Sequence, residues 1–273
     1  MSVGLIFRDT LRQNWRQILY WGGGLGLLAV YIFIAIPDMN ALQQYANLVN
    51  ALPPAILDAF GMSDAEMLAT PDGFIIFGVF GYGILIMAVF AVMAGMGVTA
   101  NEEDDGILDM VLSLPLPRWR LIVEKTLAYL VIAAGIVTVM FLALAIGTNF
   151  SGPEIREQVH LDIMAKSAIN LLPSVTLMIT ATVFAGAFFR RKATAMGVVA
   201  AFIIVSYFMD FLAEVASGAL SEFMKAASFF TYFNSEGVMR EGLNFSNIAL
   251  LLGVSIVLFA ASIWAFQRRD IGA

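Results

Sequence analysis

Residues 99–126 read TANEEDDGILDMVLSLPLPRWRLIVEKT, and they join two apolar runs, 73–100 and 126–150, that contain no Asp, Glu, Lys or Arg. Each run is long enough to cross a bilayer, which takes about 20 mostly apolar residues. The stretch is therefore the turn between two spanning helices, and it holds more than a turn requires. Four consecutive acids (Glu102, Glu103, Asp104, Asp105) lead into Gly106, a short apolar segment, Pro115 and Pro117, and the basic residues Arg118, Arg120 and Lys125. Ile107, Met110, Val111 and Leu114 recur at i, i+3, i+4 and i+7, which is one face of a helix. Two readings of the acids stay open. Asn101 caps a helix and the acids sit at its positive end, or the acids end the preceding helix and Gly106 breaks the chain. The apolar face fits a docking element, and it fits equally an amphipathic helix resting on lipid.

The rest of the chain agrees with a membrane setting. Of its 273 residues, 60% are hydrophobic and only 13% charged, with a mean hydropathy of +0.85. Soluble domains are about 45–50% apolar and about 25% charged. The net charge of −6 carries little weight, because the charges fall in the loops. There is no cysteine and one histidine, His160. Disulfides and thiolate metal sites are excluded, and a histidine-based metal or triad site is not expected. His160, in a loop of mixed charge, is expected to be solvated.

Six charge-free runs mark the spans: 18–36, 73–100, 126–150, 167–189, 193–209 and 242–267. A charge at a helix centre costs roughly 2.5–3.5 kcal/mol, so such runs are the segments that tolerate lipid. Adjusted at their ends, they predict spans at about 18–36, 73–100, 121–148, 166–189, 193–213 and 245–267. The fifth then extends past Asp210, near the far interface. The second, at 28 residues and 1.5 Å per residue, is about 42 Å long and must tilt or project beyond the hydrocarbon. With both termini inside, the basic residues divide 11 inside (Arg8, Arg12, Arg16, Arg118, Arg120, Lys125, Arg190, Arg191, Lys192, Arg268, Arg269) to 4 outside (Arg156, Lys166, Lys225, Arg240). That bias sets the orientation. The outside loops are 37–72, 149–165 and 214–244, and the inside loop of interest is 101–118. A multi-pass protein of a prokaryotic plasma membrane, a single domain over 1–273, is expected. The first apolar stretch is too long for a signal-peptide core and lacks a small-x-small cleavage site, so it reads as an uncleaved span.

Residues 1–17 read as a helix lying on the membrane surface. Val3, Phe7, Leu11, Trp15 and Ile18 form an apolar stripe, and Arg8, Arg12 and Arg16 a basic one beside it, a pattern that suits the headgroup boundary. A plain basic flank is the alternative. Gly22 and Gly26 permit close helix approach, or mark a kinked helix start. A short helix is expected near 55–60. Asn170 and Pro173 suggest a local kink in the fourth span. Arg190, Arg191 and Lys192 form a tight inside turn that suits anionic lipid or a partner. The aromatic segment with Phe223, Phe229, Phe230, Tyr232 and Phe233 reads as a hairpin dipping back into the membrane, or as an ordinary loop.

Much chemistry is absent. No lysine follows a glycine, so there is no P-loop to hold ATP phosphates. No carboxylate or histidine lies centrally in a span, which leaves a proton relay without parts. Asp210 and Glu214, one helical turn apart near the outer edge, read as wet rather than catalytic.

Residues 102–125 resemble the first cytoplasmic loop of ABC-2 type transporter permeases. The resemblance falls on Glu102, Glu103, Gly106, Leu112, Ser113, Leu114, Pro115, Arg118 and Lys125, with Ile107 where that family has Thr. Residues 228–233 (SFFTYF) are similar to its Ser-Pro-Phe-x-Tyr region with Pro replaced, and 266–271 (FQRRDI) to its Arg-Arg-Asp-Leu tail. The resemblance implies an all-α polytopic fold of six transmembrane helices, with an N-terminal interfacial helix, a cytoplasmic coupling helix between spans 2 and 3, and a re-entrant hairpin between spans 5 and 6. It implies two permease subunits, taken as identical, and two copies of a separate nucleotide-binding ATPase. The ATPase binds ATP and Mg2+; this chain needs no cofactor of its own. The coupling helix, about 106–114, would sit in a cleft of the ATPase, with the acids at 102–105 meeting its basic groups. Most such systems export. A membrane scaffold or assembly factor without an ATPase is the competing reading, and an intramembrane enzyme a more distant one. No nucleic-acid partner is expected.

Overall fold

Glycine and small residues let the helices of this bundle approach closely, and the longest of those helices begins at Arg118. A computed structural model describes residues 4–36, 38–51, 65–99, 117–189 and 191–268, and among these every regular element is a helix. Helix α1 spans Leu5–Asn14. After a turn at Trp15, α2 spans Arg16–Ala35. A short helix α3 (Met39–Asn50) follows, capped by the Asp38 side chain on the Ala41 N–H at 2.8 Å. The second span, α4, covers Pro71–Val98 and opens with Thr70 as its cap and Pro71 in its first turn. Its stretch Ile76–Gly81 is π-helical.

Helix α5 spans Arg118–Gly147, with Pro117 as its extended N-cap residue. Helix α6 is Leu161–Phe188 and carries Pro173 within it. Helix α7 is Lys192–Val215, so Asp210 lies inside a regular helix. Three short helices follow: α8 (Ala219–Ala227), α9 (Phe229–Phe233) and α10 (Ser235–Glu241). The last helix among the described residues is α11, Phe245–Arg268.

Six of these elements are long and apolar enough to span a bilayer: α2, α4, α5 extended by its terminal 3-10 turn to Phe150, α6, α7 and α11. Helix α6 is the centre of the bundle. In its apolar window 72% of residues are buried, against 17% in α7 and 17% in α11. It packs against α4, α5, α7 and α11, while α2 packs chiefly along α5. Leu171, Val175, Met178 and Ile179 of α6 are fully or almost fully buried in a core shared with Phe33, Phe80, Phe90 and Phe266.

Sequence dictates one tight seam. A Cβ added at Gly22 would lie 2.8 Å from the Val139 Cβ, and one at Gly26 would lie 2.6 Å from the Ala143 Cβ. Both glycines therefore face α5 along one stripe. Gly147, at the other end of α5, admits the Phe33 ring, 2.7 Å from where a Cβ would be. Small residues let backbones meet where burial against lipid supplies no driving force. Helix α2 is continuous through the glycine run.

Three of the four tryptophans, Trp15, Trp119 and Trp264, are exposed. They stand at the start of α2, the start of α5 and the end of α11, which the alternating chain direction brings to one end of the bundle. Indole rings concentrate at membrane–water boundaries. The guanidinium of Arg268 lies 4.4 Å over the Trp264 ring at the same level.

Candidate functional site

The two ends of the bundle carry different chemistry. At the tryptophan-marked end, Glu124 sits one to two turns into α5 and is 6% exposed. A carboxylate this deep in an apolar helix needs partners, and it has three. Arg120, one turn earlier on α5, donates its Nε–H to Oε1. The backbone N–H of Gly4 donates to Oε1 at 3.2 Å, and that of Phe7 to Oε2 at 3.0 Å. The first N–H groups of a helix have no internal partner, and they carry its positive end. Glu124 thus fastens the start of α1 to the start of α5.

Helix α1 lies along α5 with Phe7, Thr10, Leu11 and Asn14 turned inward, while Arg8, Arg12, Trp15 and Arg16 are exposed. The basic stripe of the sequence is a solvent- or headgroup-facing edge here. Of the apolar stripe, Leu11 and Ile18 pack against the core and Phe7 is half-buried, but Trp15 is exposed, because the chain turns there from α1 into α2. Arg118 opens α5, and Arg191 and Lys192 open α7 at the same end. Glu102, Glu103, Asp104, Asp105, Gly106, Ile107, Met110, Val111, Leu114 and Arg190 lie outside the described residues, as do the short helix expected near 55–60 and Val3.

At the opposite end, the aromatic segment forms a built structure. Ser228 donates its Oγ–H to the Ser206 carbonyl at 2.8 Å, and the Phe229 N–H donates to Ser206 Oγ at 2.9 Å. Ser228 also caps α9 by accepting the Phe230 N–H at 3.1 Å. The Phe229 and Phe230 rings stack at 4.3 Å, and Phe230 meets Tyr207 edge-on at 5.4 Å. Asn170 of α6 donates to the Phe233 carbonyl at 2.5 Å. Helix α9 is thus pinned at both ends, to α7 by serines and to α6 by an amide, and Phe229, Phe230 and Phe233 are buried.

Beside it lies a cavity of about 410 Å3, walled by the π-helical part of α4, the last turns of α7, and α8 to α10. Asp210 faces it and accepts a 2.5 Å hydrogen bond from Thr231. Glu214 pairs with Lys225 at 3.1 Å across its rim. Asp210 and Glu214 are therefore wall groups of a cavity, which their spacing alone did not reveal.

A second contact at this end ties loop to span. Asp72, 5% exposed in the first turn of α4, accepts the His160 backbone N–H at 3.0 Å, and its other oxygen lies 2.7 Å from His160 Nδ1. His160 is 61% exposed but held. The hydrogen bond and negative charge of Asp72 raise the imidazole above its ordinary range, and Asp162 adds to the effect. Neither Asp72 nor Glu124 stands out in the sequence. The available signal was a lone carboxylate within one or two turns of a span end, where it must find a partner.

Among the described residues no group of His, Cys, Asp and Glu is arranged to hold a metal ion. A family profile described as ABC-2 family transporter protein matches residues 10–271, nearly the whole chain. The chain belongs to that family, as a multi-pass membrane permease of an ABC transporter. No curated protein matches it.

Proposed function

We propose that this permease forms, with a second copy of itself, the pathway of an exporter driven by a separate ATPase that docks on residues 101–118. The observation that carries the reading is what the helix following that loop in the chain holds. Helix α5 begins at Arg118, its first two turns hold Arg120 and Glu124, and Glu124 grips the start of α1. A displacement applied to the loop is transmitted to α5 and α1 together, since a packed, hydrogen-bonded pair moves as a unit. The exposed tryptophans and the arginine edge of α1 support its lying at the cytoplasmic membrane boundary. Arg191 and Lys192 add basic charge at the same end. The sparsely buried α7 and α11 leave faces for lipid and for the second permease. ATP and Mg2+ are held by the partner, because this sequence has no P-loop.

The test is docking. Met110→Asp or Val111→Asp places a charge on the apolar face of the loop, and an unpaired charge in a contact costs several kcal/mol, roughly 3–5. The expected result is loss of copurified ATPase and of transport, with membrane insertion unchanged. Glu102→Lys and Glu103→Lys should weaken docking less, because rim charges are screened. Full ATPase binding and transport in both aspartate variants would replace the docking role with a lipid-resting helix, and failure of the wild type to retain any ATPase would favour the scaffold reading.

A further inference from the structure

The cavity at the end remote from α1 has a composition that selects a ligand. Its volume of about 410 Å3 falls in the range of small-molecule sites, roughly 300–1,000 Å3. Phe77, Tyr82, Tyr207, Phe211, Phe230 and Phe233 supply aromatic walls. Among the described residues that line it, Asp210, Glu214 and Glu236 bring carboxyl groups, and the one basic side chain, Lys225, is paired with Glu214. Aromatic faces and carboxylates both attract cations, and the first also accept apolar bodies. An anion would meet carboxyl oxygens and an ammonium that is already engaged.

The wall is also fixed in place. Ser206, Ser228 and Asn170 hold α9, so the Phe230 and Phe233 positions do not depend on a ligand. Across the cavity the backbone of Ile76–Gly81 is π-helical and presents Phe77 and Gly81 to it. Single π-helical segments inside α-helices occur frequently at functional sites, because they re-aim side chains at a cost in helix regularity.

From this we infer that the cavity walled by Phe77, Tyr207, Asp210, Glu214 and Phe230 binds an amphipathic organic cation, one positive charge on an apolar body. The cavity then serves as the outer station of the transport path; that role rests on the permease reading above, while the binding itself does not.

The probe is tetraphenylphosphonium, with tetraphenylborate as the anion of the same shape, titrated calorimetrically into the full-length permease in nanodiscs, against empty nanodiscs. The phosphonium should bind saturably and the borate should not. Asp210→Asn with Glu214→Gln keeps the size of both side chains and should weaken the phosphonium by about tenfold, as expected when two carboxyl groups are lost near a partly wet site. Location is read separately. The chain has no cysteine, so Tyr82→Cys, at an exposed wall position, gives a unique thiol that bound phosphonium should shield from a maleimide. If the double variant fails to fold, Glu214→Gln alone, at a half-exposed rim residue, should weaken the phosphonium by about threefold. Equal affinity for the two ions, unchanged affinity in the folded variants, or no shielding of Cys at position 82 would overturn the inference. Saturable phosphonium binding by a chain that retains no ATPase would leave the site standing and remove only its transport role.

Discussion

The carboxylate of Glu124 accepts a 3.0 Å hydrogen bond from the backbone N–H of Phe7, 117 residues earlier in the chain. The same group takes the Gly4 N–H and pairs with Arg120. One side chain thereby closes the open N-terminal turn of α1, neutralises a guanidinium, and joins the chain's first helix to the helix that leaves the 101–118 loop. A charge-assisted bond of this kind contributes about 1.5–3 kcal/mol.

Glu124→Gln should therefore lower stability by about 1–3 kcal/mol, since the amide keeps one acceptor and presents a donor to the N–H groups. Glu124→Ala should cost more, about 3–5 kcal/mol, because it removes the carboxylate from beside the largely buried Arg120 guanidinium and leaves both N–H groups without their acceptor. Hydrogen exchange over residues 5–14 is the measurement. It should accelerate in both variants while exchange in the centre of α6 is unchanged. Unaltered exchange in Glu124→Ala would mean that Phe7 and Leu11 alone hold α1.

The Asp72–His160 contact makes stability depend on pH. The folded imidazole titrates above its ordinary value because the Asp72 hydrogen bond and charge favour the protonated form. A group whose pKa is raised on folding stabilises fully below its unfolded value, near 6.5, and that stabilisation is lost as pH rises through the folded value. The melting temperature of the wild type should exceed that of His160→Asn at pH 5.5, and the gap should narrow as pH rises to 9. A gap that is constant across that range would remove the charge from the account and leave only the backbone bond.

The spans are legible in the sequence because lipid imposes a one-dimensional rule: a charge-free run of sufficient length reports its own role. Lys192 to Val215 shows the rule adjusted at its end: the charge-free run stops before Asp210, the expected span is carried past it to 213, and the helix runs to Val215. The Gly22 and Gly26 pair was visible as a stripe, but not that Val139 and Ala143 lie opposite. The cavity was less legible still. Phe77, Asp210 and Phe230 lie on three separate segments, and only folding makes them neighbours. Asp72 and His160 are 88 residues apart, and neither residue type nor spacing announces the pair. Read locally, His160 is a solvated loop residue, and by exposure it is; its bond to Asp72 is a tertiary fact.

Two glycine substitutions one residue apart should have opposite outcomes. Gly22→Ala puts a methyl group 2.8 Å from the Val139 Cβ, whereas the same change at Gly23 meets nothing within 4 Å. Overpacking a tight core costs about 1–3 kcal/mol, while alanine exceeds glycine in helix propensity by about 0.8–1 kcal/mol. Gly22→Ala should lower the unfolding midpoint in SDS-titrated micelles and Gly23→Ala should hold or raise it. Equal midpoints would show that α2 shifts away from α5 at little cost.

The orientation of the bundle is the last point that an experiment decides directly. Eleven basic residues fall on one side of the proposed topology and four on the other, and Trp15, Trp119 and Trp264 mark a boundary at the basic end. Both features follow from physics that the fold does not control: the translocation bias against Lys and Arg, and the preference of indole for the headgroup region. Because the chain has no cysteine, one introduced thiol reports one location. Asn47→Cys in α3 and Gln158→Cys ahead of α6 are at exposed positions and should react with a membrane-impermeant maleimide in intact cells. Ser113→Cys in the loop and Ala193→Cys at the start of α7 should react only after the membrane is opened. Labelling of Ser113→Cys in sealed cells would invert the topology. It would place the 101–118 loop out of reach of any cytoplasmic ATPase, and the Asp210 cavity would then open to the cytoplasm.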